Sequence, residues 1–337
     1  MAVSNERLYK LAAELMSPGK GILAADQSVS TMNRQLASLG VEPSAEMRRD
    51  YRELLFTTTN LEKYVNGVIL YDATIRNQTK DGTPLVDVLL SKGITPIIKV
   101  DKGTHPIPNF PGEVATEGLD GLAERLEEYY EMGARAAKWR AVINIGEGLP
   151  TEQTIRFNVV QLARYVLLCQ EVGIVPIVEP EVIFAGSHDL SRAEEVTTWT
   201  LQILFEVLTW YQVDLKGMIL KSSMVLAGSE NPEQTSPEQV AIATLRTFDN
   251  SVPPEVPGIV FLSGGQTPER ATNNLNAIAK LEKDRGGLPW EIAFSFSRGI
   301  EQPVQEVWQG KEENKKSAQD TLIETLQRNC LADRGEL

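Results

Sequence analysis

Short apolar runs alternate along this chain with longer amphipathic stretches. The runs are Gly21–Asp26, Gly67–Ala73, Ile94–Asp101, Arg135–Ile143, Ile174–Val182, Lys216–Met224, Gly258–Gly264 and Glu291–Phe296. Each is brief and punctuated by Gly or Pro, as buried strands are. Their apolar character is continuous rather than alternating, which a parallel sheet covered on both faces requires. Between the runs, apolar residues recur at helical spacing: Leu119, Leu122, Ala123 and Leu126; Leu201, Leu204, Phe205 and Leu208; Ala271, Leu275, Ile278 and Ala279. Pro237 follows Ser236, and Gln239 stands three residues after that cap, so a helix opening on a capping box is expected. Strand-then-helix repeated about eight times predicts an α/β fold, a TIM (β/α)8 barrel. No linker divides the pattern, so one barrel domain is expected over 1–337, with a helix over about 311–337 and a mobile tail from Ala332. The longest loop, about Lys102 to Glu117, holds three prolines and would rim the barrel's active face. Gly146-Glu147-Gly148 reads as a turn, and Trp199, Trp210 and Trp308 as helix-packing residues.

Length and charge narrow the picture. A chain of 337 residues fits one large barrel or two ordinary domains, so length alone does not decide. The net charge of −13 argues against nucleic acid and against an anionic membrane as main partners. Two cysteines, Cys169 in an apolar helix and Cys330, form no disulfide scaffold and suit a reducing compartment. Met1–Arg7 lacks both a signal peptide's apolar core and the composition of a transit peptide. The expected compartment is the cytoplasm, or a plastid stroma for a mature form. No run is long enough to span a bilayer. Two histidines, His105 and His188, cannot supply a three-histidine zinc site, and no metal-spaced cluster is visible.

The apolar runs end in charge. Lys99, Lys138 and Lys221 stand at or near the downstream ends of three of them, and a fourth ends in Glu179-Pro180-Glu181. Buried charge is costly unless it is paired or used. Several such charges at one end of a barrel point to a mouth built for chemistry. An amine beside a carboxylate in an apolar mouth outlines a Schiff-base site; desolvation or neighbouring cations such as Lys99, Lys138 and Arg140 would help Lys221 react with a ketone. Glu179 and Glu181 share one side of a strand, and their crowding would push one carboxyl's pKa up for acid–base work. Each lysine could instead serve only a structural ion pair. Asp26, directly after its run, faces the mouth or else caps the next helix. Ser28, Ser30 and Thr31 offer hydroxyls at a helix start where a phosphate could bind. Ser263-Gly264-Gly265, with Arg298 and Gly299 after the last strand, falls where barrels commonly bind phosphate.

These segments resemble class I (Schiff-base) fructose-1,6-bisphosphate aldolase. The resemblance rests on Gly21–Asp26, Lys99-Val100-Asp101-Lys102-Gly103, Ala137-Lys138-Trp139-Arg140, Val175–Glu181, Leu220-Lys221 and Phe261–Gln266, in family order over nearly the whole chain. It implies an imine on Lys221, proton transfer by Glu179 during dehydration, assistance from Lys138, and Asp26 taking the C4 hydroxyl proton. Glu181 and Ser295 would support them. Ser263, Gly264, Gly265, Arg298 and Gly299 would hold the C1 phosphate, and Ser28, Thr31 and Lys99, with Arg140 nearby, the C6 phosphate. It implies no metal or other cofactor, small-molecule sugar phosphates as partners, and a homo-oligomer, a tetramer by family precedent. Glycolysis, gluconeogenesis or the Calvin cycle would be the setting, with sedoheptulose 1,7-bisphosphate as a further substrate. Four positions depart from the animal members: Gln27 replaces Glu, Ser222-Ser223 replaces Pro-Asn, Phe296-Ser297 replaces Tyr-Gly, and Leu337 stands where they end in tyrosine. A transaldolase-like barrel would share the amine without needing two phosphate sites. A non-catalytic scaffold would have no reason to keep Asp26, Lys138, Glu179 and Lys221 at a strand mouth.

Overall fold

The computed structural model describes residues 5–337. Eight strands form one parallel sheet in sequential order: β1 Gly21–Ala25, β2 Val65–Leu70, β3 Thr95–Lys99, β4 Ala136–Ile143, β5 Val175–Val182, β6 Ile219–Ser222, β7 Gly258–Phe261 and β8 Glu291–Phe294. Helices lie between them, and the Ala24 N–H donates to the Phe296 carbonyl at 3.0 Å, drawing β1 against the end of β8. The architecture is a TIM barrel, and each of the eight apolar runs contributes one strand.

Alternation along each strand sorts its side chains into two cores. One phase points inward: Ile22, Ala24, Ile69, Ile97, Ala136, Val175, Ile177, Ile219, Val260 and Ala293 cluster together. Helix Asn5–Leu15 adds Leu8, Ala12 and Leu15 to this cluster, and Met16 follows. That helix plugs the barrel's amino-terminal end. A Cβ at Gly258, the first residue of β7, would lie 2.5 Å from Met16 Cε, so only glycine admits the plug this closely. The other phase, including Leu23, Val68, Ile98, Trp139, Val178, Leu220 and Phe261, packs outward against the helices. Continuous burial of both phases is why the strands read as unbroken apolar runs.

Local signals explain several helix starts. Ser236 and Gln239 form the expected capping box of helix Pro237–Asp249. Ser44, Thr151, Asp189 and Thr267 each accept an N-terminal backbone N–H at their own helices. Cys169 and Cys330 are both buried and free. No helix among the described residues is long and apolar enough to cross a membrane. Met1–Ser4, part of the segment expected to lack a leader's features, lie outside the described residues.

Several expectations need correction. The run Lys216–Met224 is shorter as a strand, because Leu215–Gly217 forms a 3-10 turn capped by Asp214. The proline-bearing loop after β3 contains a small antiparallel hairpin, Thr104–Pro106 with Val114–Thr116. Three-residue strands carry too little periodicity to be read from sequence. Trp308 is buried 5.1 Å from the Tyr51 ring, and Trp199 packs half-buried, but Trp210 is 75% exposed. Trp210 is the last residue of its helix, so helical phase does not bind it to the core. The segment expected to be mobile from Ala332 is instead anchored. Ala332 and Asp333 are buried within helix Lys315–Asp333, and Leu337 N–H donates to Asn276 Oδ1 at 3.1 Å while Asn276 Nδ2 donates back to the Leu337 carbonyl at 3.2 Å.

Candidate active site

The inward phase that fills the barrel with apolar side chains continues one step further at the carboxyl ends of the strands, where it becomes polar. Ala24 is followed two residues later by Asp26, Ile97 by Lys99, Ala136 by Lys138, Ile177 by Glu179 and then Glu181, Ile219 by Lys221, and Ala293 by Ser295. A period of two keeps all of them facing the axis. Strand register places Lys99 opposite Lys138, and Arg140 opposite Glu179. These side chains line a cavity of about 620 Å³ at the barrel mouth.

Four charges form a continuous chain on its floor, with Lys138, Glu179 and Lys221 buried and Asp26 partly exposed to the cavity. Lys138 Nζ lies 2.8 Å from Asp26 Oδ2 and 2.9 Å from Glu179 Oε2, and Lys221 Nζ lies 3.2 Å from Glu179 Oε1. Two ammonium groups and two carboxylates balance. Burial opposes ionisation of Asp26, but Lys138 and then Lys221 outweigh it and hold the carboxyl well below the usual range. Glu179 behaves likewise: burial opposes its charge, and Lys138, Lys221 and Arg140 lower its pKa. For Lys138, burial is outweighed by Asp26, Glu179 and Asp101, which hold the ammonium protonated far into alkali. The expected upward push on one of the two crowded carboxyls is therefore not what the geometry gives at Glu179. Glu181 turns to its own cation, the Arg140 guanidinium, and leaves Glu179 to the lysines. Glu179 Oε2 meets Lys138 without hydrogen-bond alignment, and Ser295 Oγ is buried with no partner. Both atoms keep hydrogen-bonding capacity directed at the cavity.

Two polar ends flank this floor. After β7, Gly264 and Gly265 have φ of +57° and +88°, a left-handed pair that only glycines adopt freely and that can turn successive N–H groups toward an anion. Ser263 precedes them, and Arg298 reaches the Gly265 carbonyl at 3.5 Å from the start of helix Arg298–Trp308. Gly299 is buried against the Phe296 ring and does not reach the cavity wall. At the other end, Ser28 Oγ accepts the Thr31 N–H at 3.3 Å and caps helix Val29–Ser38. Ser28, not Asp26, is thus the N-cap, which leaves the Asp26 carboxylate to the mouth. Ser30, Thr31 and Lys99 line the same side. Lys99 is held by Asp101, and the Arg140 N–H donates to the other Asp101 oxygen at 3.2 Å.

Sequence reasoning missed Gln35, Tyr71 and Thr104 in the wall; Asp101 and Lys102 entered only as part of a motif, and Gln27 and Ser297 only as departures from the animal members. Tyr71 was within reach, since it continues the inward phase of Ile69. Gln27 and Ser297 lie in loops, where no period operates. The departures at Ser222 and Ser223 are structurally satisfied: Ser223 Oγ donates to the Val182 carbonyl at 2.9 Å, and Ser222 Oγ to the Ser223 carbonyl at 3.1 Å. His105 is exposed beside Glu117, His188 is only partly buried, and no group of histidine, cysteine or acidic residues among the described residues could hold a metal ion.

The family model for fructose-bisphosphate aldolase class-I matches residues 7–337. A probable fructose-bisphosphate aldolase class 1 of Xanthomonas axonopodis pv. citri is 50% identical over 335 residues, 99% of each chain. A cytosolic fructose-bisphosphate aldolase 6 of Arabidopsis thaliana is 46% identical, over 98% of this chain and 91% of its own. Among solved structures, fructose-bisphosphate aldolase of Plasmodium falciparum, in a ternary complex with TRAP and a small-molecule inhibitor, superposes with a TM-score of 0.96 at 43% identity. That match covers 98% of this chain and 95% of the other.

Proposed function

This chain belongs to the class-I fructose-bisphosphate aldolase family, a metal-independent class of lyases acting on sugar phosphates, and from that premise we propose the following chemistry for it. The protein reversibly cleaves fructose 1,6-bisphosphate to dihydroxyacetone phosphate and glyceraldehyde 3-phosphate through an imine on Lys221. The observation that carries this reading is the chain Lys221, Glu179, Lys138, Asp26, contiguous and charge-balanced between two anion-ready ends. One barrel domain, 1–337, carries the whole site.

A lysine attacks a ketone only after losing its proton. Glu179 Oε1, 3.2 Å from Lys221 Nζ, can take it. The amine adds to C2, and a proton passes from its nitrogen to the former carbonyl oxygen to give a neutral carbinolamine. Glu179 then returns a proton to that hydroxyl, water leaves, and a protonated imine forms. Lys138, fixed between Asp26 and Glu179, steadies both carboxylates while protons move. Asp26, held ionised, accepts the C4 hydroxyl proton. The C3–C4 bond breaks, its electron pair passes to the imine nitrogen, and glyceraldehyde 3-phosphate departs. The enamine gains a proton at C3 as Asp26 gives up the one it took, and hydrolysis by water releases dihydroxyacetone phosphate and free Lys221. Glu181 orients Arg140, and the free hydroxyl of Ser295 supplies a hydrogen bond to the bound sugar.

The C1 phosphate sits against Ser263, Gly264, Gly265 and Arg298, while Gly299, which does not reach the cavity wall, is left out of that contact set. The C6 phosphate sits against Ser28 and Thr31, with Lys99 and Arg140 supplying charge. A seven-carbon bisphosphate fits the same two-ended description, so condensation of dihydroxyacetone phosphate with erythrose 4-phosphate to sedoheptulose 1,7-bisphosphate is a second activity. The hexose reaction serves glycolysis and gluconeogenesis, and the heptulose reaction the Calvin cycle. Plant relatives named cytosolic or cytoplasmic support a cytoplasmic enzyme. A homotetramer is the expected state by family precedent.

Borohydride trapping with dihydroxyacetone phosphate, followed by peptide mass spectrometry, tests the core. An adduct on Lys221, with cleavage activity resistant to EDTA, is expected. An adduct on Lys99 or Lys138, or none, would reassign the nucleophile. Undetectable turnover with erythrose 4-phosphate would remove the second activity alone.

A further inference from the structure

Seven sides of the barrel are laced by parallel strand ladders, but the side between β1 and β8 is closed by one backbone hydrogen bond, Ala24 to Phe296. That thin seam also divides the two proposed phosphate ends. Ser28 and Thr31 follow β1, and Arg298 follows β8. One side chain crosses it at the mouth. Gln27 Nε2 donates to Ser297 Oγ at 2.7 Å and to Glu301 Oε1 at 2.7 Å, and Gln27 Oε1 accepts from the Arg52 guanidinium. Glu301 Oε2 pairs with Arg52 Nη1 at 3.1 Å, and both residues are buried. Ser297 occupies the N-cap position of the Arg298–Trp308 helix without a side-chain cap, and its hydroxyl instead accepts from Gln27.

Resting on the aldolase reading, we propose that Gln27 is a positioning residue that pins the two phosphate-binding ends at bisphosphate spacing. Its neutral amide is the form this seam requires. The groups facing Glu301 are Arg52 and Tyr51 from helix Ala45–Thr57, and Gln27 and Asp26 from the loop after β1. Burial already pushes the Glu301 carboxyl up, against the pull of Arg52 and Gln27. A carboxylate at position 27 would touch a second carboxylate with one guanidinium to share, and the two could not both ionise at contact distance. The seam would open, and the phosphate ends would lose their fixed separation. A substrate that grips both ends feels this; a ketose carrying only the C1 phosphate does not.

The experiment compares KM and kcat of the full-length protein for fructose 1,6-bisphosphate and for fructose 1-phosphate. Gln27→Glu should raise KM for the bisphosphate about tenfold at pH 8, the loss of roughly one charge-assisted hydrogen bond, with KM for the monophosphate unchanged. Relative to wild type at each pH, the defect should shrink toward pH 6, where a shared proton restores a donor. The double variant Gln27→Glu/Glu301→Gln returns one amide and one carboxylate to the seam and should recover bisphosphate KM. If Gln27→Glu does not fold, the neutral Gln27→Met, which makes none of the three hydrogen bonds, should show the same substrate split without pH dependence. An unchanged bisphosphate KM, or equal losses on both substrates, overturns the proposal for Gln27. Wild-type protein unable to cleave the bisphosphate would instead sink the aldolase reading beneath it.

Discussion

Replacing Lys138 by Met removes one ammonium from a balanced set of four charges and leaves the volume filled. Each of its two attractions, at 2.8 and 2.9 Å, is worth roughly 6 kcal/mol gross at an effective dielectric near 20. Against this stands the cost of burying the ammonium, several kcal/mol. Removing one member of such a buried set leaves an uncompensated carboxylate, and the net loss of stability is about 3–5 kcal/mol. Asp26→Asn in the same chain removes the surplus charge again, because Glu179 then faces Lys221 alone. The double variant is therefore expected to be more stable than Lys138→Met by about 1–3 kcal/mol, although it has lost more polar contacts. Urea unfolding of the wild type, Lys138→Met, Asp26→Asn and the double variant at pH 7.5 measures this. Asp26 and Glu179 have depressed folded pKa values, so in the wild type their ionisation adds stability above the unfolded carboxyl range that is lost only as pH falls through the depressed values. Without Lys138 both values rise, so the deficit of Lys138→Met should shrink on acidification, and the acid limb of residual activity should move to higher pH. A double variant no more stable than the single one would refute the charge accounting, whatever happened to activity.

Other consequences follow from the same geometry. Arg298→Ala removes the guanidinium beside Gly265 and should raise KM for fructose 1,6-bisphosphate about 10- to 100-fold with a smaller change in kcat, in steady-state cleavage assays. Glu282 has its carboxyl pushed up to about 7, first by burial and then by Glu291. A raised carboxyl favours folding below its unfolded pKa and loses that contribution as pH rises through 7, so Glu282→Gln should raise Tm at pH 8 and change it little at pH 4. Ser236→Ala removes the reciprocal cap with Gln239 and should cost about 1 kcal/mol by urea unfolding while leaving kcat intact.

The barrel and its chemistry were legible to different depths. Eight continuous apolar runs reveal eight strands because burial on both faces erases the polar half of the alternation. The lysines and carboxylates stand out because charge at the end of such a run conflicts with its burial. Reading failed where structure rests on pairing rather than period. Nothing in Thr104–Pro106 announces a hairpin, since its partner lies eight residues further on. Nor does Glu179 disclose that Lys138 and Lys221 would lower its pKa, because that depends on which cation Glu181 takes. Trp210 shows the limit of composition: a large aromatic at a helix end is released from the phase that buries Leu204 and Leu208.

The plug and the mouth belong to one repeating pattern. Inward positions are apolar from Ile22 to Ala24, then acidic at Asp26; apolar at Ile97, then basic at Lys99; apolar at Val175 and Ile177, then acidic at Glu179 and Glu181. The change falls at one height on β3 and β4, where Lys99 lies opposite Lys138, and one inward position later on β5 and β6, since Lys138 lies opposite Ile177 and Ile177 opposite Ile219. An apolar layer beneath the charges lowers the local dielectric and holds water off one side, which strengthens each ion pair above it. Helix Asn5–Leu15 completes that layer from below. Its Leu8, Ala12 and Leu15 touch no reacting group, yet they close the floor on which Lys221 and Glu179 stand. The low dielectric that makes Lys138 expensive to bury also makes its grip on Asp26 and Glu179 strong, so stability and proton transfer draw on the same contacts.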